Sequence, residues 1–144
     1  MRLSIILPTY NNQSTLNECL KGIYNQNYMK YEILVIDGGS NDKTLEIAGK
    51  YNVKIINNPY RVEERARIIG IKNSKGELLC FIDADNIILD KDWLKKMVTP
   101  FEDKKIICSD TYYFSSRKKD NVITRYCSLI GGDDPLAVYF GLYD

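Results

Sequence analysis

Residues 78–86 read LLCFIDADN, five largely apolar positions running into Asp83-Ala84-Asp85-Asn86. An unbroken apolar run closed by polar residues is the pattern of a strand buried on both faces, as in a parallel sheet. The pattern recurs upstream. Leu3 to Leu7 runs into Pro8-Thr9-Tyr10-Asn11, Ile33 to Ile36 into Asp37-Gly38-Gly39-Ser40, and Val53 to Ile56 into Asn57-Asn58. Helical spacing fills the intervals. Thr15 followed by Glu18 has the form of a capping box, with Leu16, Cys19, Leu20 and Ile23 on one face. Ser40 or Asp42 is positioned to cap a second helix carrying Leu45, Ala48 and Tyr51. A third helix is predicted over Val62 to Asn73. A fourth, from Asp90, would bury Trp93, Leu94, Met97 and Val98 before Pro100. This β-α-β-α-β-α-β order predicts an α/β fold, an open and mainly parallel sheet flanked by helices with right-handed crossovers. Ligands of such sheets bind beyond the carboxyl ends of the strands, so the four polar segments there are the candidate site.

The rest of the sequence narrows the chemistry. At 144 residues with 44% hydrophobic residues, the chain has the size and composition of one domain with one core. A net charge of +1 argues against nucleic acid as a partner, because that binding needs a basic face. The chain has no histidine, which excludes Ser-His-Asp and Cys-His catalysis and any His-containing zinc site. Acid-base chemistry therefore falls to carboxylates, Lys, Tyr or Cys. Cys19, Cys80, Cys108 and Cys127 form no CxxC pair, and three of them lie in apolar runs that read as buried thiols. No stretch has the length of a membrane span or the form of a signal peptide, so the expected location is the cytoplasm. Beyond residue 105 the pattern weakens. Ile106 to Cys108 and Tyr112 to Phe114 are candidate short strands, Ser115 to Asn121 a basic turn, and Gly131 to Pro135 a loop.

Each strand-end segment has two readings. Asp83 and Asp85, at i and i+2, suit Mg²⁺ or Mn²⁺ shared with phosphate oxygens, or simply form a capping turn. Asp37 can accept a hydrogen bond from a base N–H where Gly38 and Gly39 admit a ligand closely, or can end a strand and lead to a helix cap. Tyr10 can pack on a base and Thr9 donate to it, or the segment can be only a turn. Arg65 and Arg67 meet phosphates or water. Arg117-Lys118-Lys119 reads as a solvated loop, and Asp133-Asp134 as acids in a Gly-rich turn. GxGxxG and GxxxxGK(S/T) are both absent, so the dinucleotide-fold and P-loop readings lack their signatures.

Taken together, residues 4–20 (SIILPTYNNQSTLNECL), 31–44 (YEILVIDGGSNDKT) and 66–86 (ARIIGIKNSKGELLCFIDADN) resemble the family 2 glycosyltransferases of GT-A, Rossmann-like fold. The resemblance implies a nucleotide-binding set of Pro8, Thr9, Tyr10, Asn11, Asp37, Arg67, Asp83 and Ala84. It implies a Mn²⁺ or Mg²⁺ site at Asp85 and Asp83, with Asp85 the direct ligand. Two departures stand out. The family's Asp-Asp-Gly-Ser is here Asp37-Gly38-Gly39-Ser40, and its Ala-Arg-Asn is Ala66-Arg67-Ile68, which loses the asparagine near the diphosphate. The family's catalytic base lies well beyond the DxD segment, and no QxxRW-like segment is present. Asp133 and Asp134 are the remaining candidates.

The implied activity is transfer of a sugar from a nucleotide-sugar donor, UDP-sugar by default and GDP-sugar as the open alternative. It would proceed by inverting, metal-assisted displacement onto a carbohydrate, lipid-linked or protein acceptor. The expected organisation is a single domain, with residues 1–100 binding the nucleotide sugar and 101–144 opening an acceptor side. An abrupt end at Asp144 leaves a short protein and a truncated one both open, as is association with the cytoplasmic face of a membrane through a partner or missing segment. Two rivals stand beside this reading. A sugar-nucleotide pyrophosphorylase would carry a Gly-, Arg- and Lys-containing loop after the first strand, which Pro8 to Gln13 lacks. A non-catalytic donor-binding domain, or an incomplete catalytic half, would bind donor without turnover.

Overall fold

The structure is a computed structural model and describes residues 1–111. The chain divides into two units, Met1–Val98 and Thr99–Asp144. In the first, strands β1 (Leu3–Thr9), β2 (Tyr31–Asp37), β3 (Lys54–Asn57) and β4 (Leu78–Phe81) form one sheet in the order β3-β2-β1-β4, with every pairing parallel. Helices α1 (Leu16–Tyr24), α2 (Thr44–Ala48), α3 (Glu63–Asn73) and α4 (Trp93–Val98) complete it. The α/β expectation holds, and the sheet is parallel throughout.

Alternation along β1 and β2 sorts the core into two layers. Leu3, Ile5, Leu7, Ile33 and Val35 face a large cluster that includes Leu16, Cys19, Leu20 and Ile23 of α1 and Leu94 and Val98 of α4. Ile6, Leu34 and Ile36 face the other way, onto Ala66 of α3. Each fully buried Leu or Ile contributes about 1.5–3 kcal/mol, so the two central strands carry much of the stability. Gly70 lets α3 lie close to β1. A Cβ there would stand 2.4 Å from Ile6 Cγ2, which no rotamer adjustment of a packed core easily relieves.

Only the central strands are buried on both faces. In β4, Leu79 is 40% and Phe81 43% exposed, and in β3 Ile55 is 42% exposed, because both strands lie at the edges of the described sheet. An apolar run shows that a strand has apolar residues, not that both its faces are covered.

Other local expectations are corrected. Thr15 precedes α1, but its hydroxyl makes no cap bond and Glu18 instead pairs with Lys21, 2.9 Å away, so the capping box does not form. The second helix ends at Ala48, short of Tyr51, whose hydroxyl donates to Asn17 Oδ1 at 2.9 Å. The fourth helix begins at Trp93. Asp90 builds the turn before it, its Oδ1 accepting from the Asp92 N–H at 2.9 Å. In the second unit, a 3₁₀ turn spans Thr99–Glu102, and Ile106 to Cys108 form no strand. Cys19 is buried, whereas Cys108 is exposed despite its apolar neighbours Ile106 and Ile107. The Tyr112 to Phe114 strand, the 115–121 turn and the 131–135 loop lie outside the described residues.

Candidate functional site

The parallel register brings three strand ends level, with Thr9 opposite Asp37 and Asp37 opposite Asn57. The fourth end, Asp83-Ala84-Asp85, lies on the other side of β1. Chain direction across the sheet switches at β1, and such a switch point opens a crevice between strand ends. Pro8 helps to open it. The carbonyl of Ile6 accepts from the Ile82 N–H at 3.1 Å and that of Thr9 from the Gly38 N–H at 2.8 Å, so even-numbered positions of β1 face β4. Pairing with β4 stops at Ile6, two residues before Pro8, and the missing proline N–H costs no ladder bond.

A cleft of about 320 Å³ lies at this edge, lined by residues from all four strand ends. Of the residues singled out in the sequence, Pro8, Thr9, Tyr10, Asp83, Ala84 and Asp85 line it. Asn11, Asp37 and Arg67 of the same set are not among its lining residues. Asp133 and Asp134 lie outside the described residues.

The residues off the lining have evident work of their own. Asp37 is 4% exposed and turned into its own loop. Its Oδ2 accepts from the Gly39 and Ser40 N–H groups at 2.9 and 3.0 Å, and its Oδ1 from the Ser40 hydroxyl at 2.5 Å. Asn11, at φ 53°, ties two loops together: its N–H donates to Ser40 Oγ at 2.9 Å and its Oδ1 accepts from the Asn41 N–H at 3.0 Å. Arg67 bridges carboxylates. It pairs with Glu63 one turn back on α3 and stands 3.7 Å from Asp83 Oδ1, with its guanidinium 5.8 Å from the Phe81 ring centre. Arg65 lies over the Tyr60 ring at 5.4 Å.

Two features of the lining point to a ligand. The Thr9 hydroxyl is buried with no hydrogen-bond partner, on a residue 5% exposed. An unpaired buried polar group costs about 1–3 kcal/mol; the Thr15 and Thr44 hydroxyls are unpartnered as well, and Thr9 differs from them in belonging to a residue that lines the cleft. Asp83 and Asp85 are exposed at the rim, and no group of three or more carboxylate, thiol or imidazole side chains suited to a metal exists among the described residues. Two acidic side chains make too few ligands for a metal cage, but they fit a hard cation that completes its shell with phosphate oxygens and water. Behind them, the Cys19 thiol approaches the Asp83 carbonyl at 3.6 Å. Burial, then the Asp85 and Asp83 charges, push that thiol up to about 12, so it stays neutral and packs rather than reacts.

Asn58, from the polar segment that the sequence reading placed at the end of the third strand, lines the cleft too, as do Asn12, Arg61 and Glu63, which that reading did not single out. Asn58 had a signal, since Asn57-Asn58-Pro59 ends a strand on the same sheet edge. Its side chain closes the next turn, Oδ1 accepting from the Tyr60 N–H at 3.2 Å and Nδ2 donating to the Val62 carbonyl at 2.9 Å. Within that turn Arg61 takes φ 55°, a left-handed conformation that costs a non-glycine residue about 1–2 kcal/mol. No sequence pattern announces it.

A model of glycosyl transferase family 2 matches residues 4–134. Glycosyltransferase AglE of Haloferax volcanii is 35% identical over 105 residues, covering 67% of this chain and 34% of the relative. Poly(ribitol-phosphate) beta-N-acetylglucosaminyltransferase TarS of Staphylococcus aureus is 33% identical over 103 residues, or 66% of this chain and 18% of that protein. The crystal structure of S. aureus TarS 1–349 in complex with UDP superposes with a TM-score of 0.65 at 32% identity, covering 72% of this chain and 32% of that one. Mannosyltransferase PcManGT from Pyrobaculum calidifontis, in complex with GDP-Man and Mn²⁺, gives 0.64 at 27% identity, covering 67% and 31%. The chain thus spans about a third of the length of AglE and less of TarS. On the family match and the shared architecture, the chain belongs to glycosyl transferase family 2 and has the GT-A fold.

Proposed function

We propose that the chain binds a nucleotide-sugar donor, UDP-sugar by default, in the strand-end cleft, and that it serves glycosyl transfer from that donor. The observation that carries this reading is the convergence of Thr9, Asn58 and the Asp83/Asp85 pair on one cleft. UDP and GDP-Man in the two related structures support the ligand class. In this reading the donor lies along the strand ends. The base goes toward the β2 and β3 ends, where Tyr10 packs on Gly38 and Asp37 keeps capacity on Oδ1 for a base N–H. The diphosphate goes toward β4.

Asp85, with Asp83 beside it, would hold Mn²⁺ or Mg²⁺ together with the donor phosphates. When bound, such an ion neutralises charge on the departing diphosphate. Arg67, already against Asp83, adds positive charge at the same end. In an inverting displacement the acceptor hydroxyl gives its proton to a carboxylate, with Asp133 or Asp134 proposed for that role. Its oxygen then forms the new bond to the anomeric carbon as the bond to the diphosphate breaks, and the electron pair leaves with the diphosphate. Residues 1–100 are proposed as the donor part and 101–144 as the start of the acceptor side. A cytoplasmic setting is part of the reading, supported by Cys19, Cys80 and Cys108 as free thiols. No helix of the described residues is long and apolar enough to cross a membrane.

The test is a Mn²⁺ titration by paramagnetic relaxation, with and without UDP, on wild type and Asp85→Asn. Metal affinity is expected to rise with UDP in the wild type and not in the variant, and donor hydrolysis to slow by ~10²–10⁴-fold, the scale of several kcal/mol of charge stabilisation. Identical metal binding by the two proteins would remove Asp85 from the site. Donor binding with no turnover in the wild type would reassign the chain as a donor-binding unit.

A further inference from the structure

Glu63 and Arg67 stand one turn apart on α3, yet only Glu63 lines the cleft. The charged residues of that lining, among the described residues, are Arg61, Glu63, Asp83 and Asp85, three carboxylates against one guanidinium. For a diphosphate this is the wrong sign. A divalent cation on Asp83 and Asp85 offsets two of the three charges and leaves that of Glu63. The arginines of this edge are placed differently. Arg61 is set beside Gly39, its Nε and Nη2 3.7 Å from where a Cβ there would stand, by a turn whose Asn58 N–H donates to the Asp37 carbonyl at 2.7 Å and fastens it to the end of β2. Arg65 lies on Tyr60. Arg67 is held by Glu63, the carboxylate that a cation on the acidic pair leaves uncompensated.

One nitrogen of Arg67 meets two carboxylates. Its Nη2 donates to Glu63 Oε1 and stands 3.7 Å from Asp83 Oδ1, beyond hydrogen-bond reach. The guanidinium is thus bonded to Glu63 and leans toward the acidic pair. It lies 5.8 Å from the centre of the Phe81 ring, a flat support that attracts a guanidinium without fixing its direction. The bond to Glu63 is exchangeable. The Arg67 and Glu63 side chains are 44% and 54% exposed, and an exposed i,i+4 pair contributes little. Glu63 also loses little on release. It begins α3, where Val62 supplies no side-chain cap and the helix dipole favours a carboxylate. A phosphate is the stronger partner for a guanidinium, because its oxygens match the planar fork with two charge-assisted bonds.

We propose that Glu63 is a positioning residue that holds Arg67 in reserve beside the cleft, and that a diphosphate seated at Asp83 and Asp85 draws Arg67 off Glu63 onto its own oxygens. This rests on the donor-binding reading above and adds to it a competitor carried by the chain itself. No covalent bond is made or broken; one guanidinium changes partners. Donor affinity is then lower than the cleft allows, by the strength of the Glu63–Arg67 pair. Removing Glu63 frees Arg67 and tightens the donor, whereas a residue that only braced Arg67 for the donor would weaken binding when removed.

The experiment is calorimetry of UDP with Mn²⁺ on wild type, Glu63→Gln, Arg67→Gln, the double variant and Glu64→Gln, with thermal melts alongside. Glu63→Gln is expected to bind UDP ~2–5-fold more tightly, the scale of an exposed ion pair. Arg67→Gln is expected to bind it ~10-fold more weakly, the scale of a hydrogen bond to a charged group. In the double variant the gain from Glu63→Gln should vanish, because no guanidinium is left to release. Glu64→Gln removes the same charge one residue away and off the lining, and should leave UDP affinity unchanged. Glu63→Ala, a good helix former without an acceptor, should repeat the gain and covers the case of a glutamine variant that melts early. An equal gain with and without Arg67 would reduce Glu63 to plain charge repulsion and overturn the proposal. A loss or no change on removing Glu63 overturns it too. Unchanged affinity in Arg67→Gln takes Arg67 away from the diphosphate, which overturns it and leaves donor binding standing. A wild type that does not bind UDP overturns donor binding as well.

Discussion

The two ends of the sheet are built on opposite principles. At the amino end, Ser4 is fully buried and fully engaged. Its hydroxyl donates to Glu32 Oε1 at 2.6 Å and accepts from the Gly76 and Lys75 N–H groups at 2.7 and 3.2 Å. Glu32 Oε1 also takes the Lys75 N–H at 2.6 Å, and Arg2 stands 3.7 Å from its Oε2. This cluster joins the starts of β1 and β2 to the turn that leads into β4. At the carboxyl end, a buried hydroxyl lacks a partner, three residues hold positive φ, and two carboxylates face solvent at the cleft rim. One end spends its polar groups on joining strands, and the other, beside its hydrogen-bonded loops, keeps the unpartnered Thr9 hydroxyl and two solvent-facing carboxylates. A sheet with one closed and one open end can hold strain and unpaired groups at the open end, because folding free energy comes from elsewhere.

The largest expected effect tests the closed end. Ser4→Ala removes the acceptor for the Gly76 N–H and a donor to Glu32, and should cost about 2–3 kcal/mol in chemical denaturation, the scale of buried groups left unpaired. Its UDP affinity should match the wild type. Undiminished stability would mean that the cluster does not staple the strands.

At the open end the sign reverses. Thr9→Val exchanges an unpartnered hydroxyl for a methyl, and should leave stability equal or raise it by about 1 kcal/mol while weakening UDP by ~3–10-fold. A destabilised Thr9→Val protein would show that the hydroxyl is used in the fold, and the contrast between the ends would fail.

The smallest effect is a pH dependence. Burial pushes the Glu32 carboxyl up, but the Ser4 hydroxyl, the Lys75 N–H and the charges of Arg2 and Lys75 outweigh it and hold Glu32 below the ordinary glutamate value of 4.5. A carboxylate held low contributes stability that is complete above its unfolded value and lost as pH falls through its folded one. Stability should therefore fall below about pH 4.5, and Glu32→Gln should fall less steeply. Asp42 and Asp90, also held low, contribute to acid loss in both proteins, so the difference between the two curves reports Glu32. Parallel curves would take Glu32 out of the acid response.

Much of this was legible in the sequence. Period and punctuation alone place four strands, the third helix within a residue, and the polar segments at one edge, because apolar runs and turn residues are local properties of the chain. Pro8, Thr9, Tyr10, Asp83, Ala84 and Asp85 were read as site residues and do line the cleft. Burial at the sheet edges was not legible, since Leu79 and Phe81 are as apolar as Ile5 and Ile6 and differ only in what lies beside them. Nor was the fate of Asp37, whose three hydrogen bonds turn it into its own loop, or that of Thr15, which precedes α1 without capping it. Those outcomes depend on where a side chain's partners stand after folding. Arg61 is the extreme case. Its residue type is unremarked in the sequence, and only the turn closed by Asn58, fastened to β2, forces it left-handed and sets its guanidinium beside Gly39.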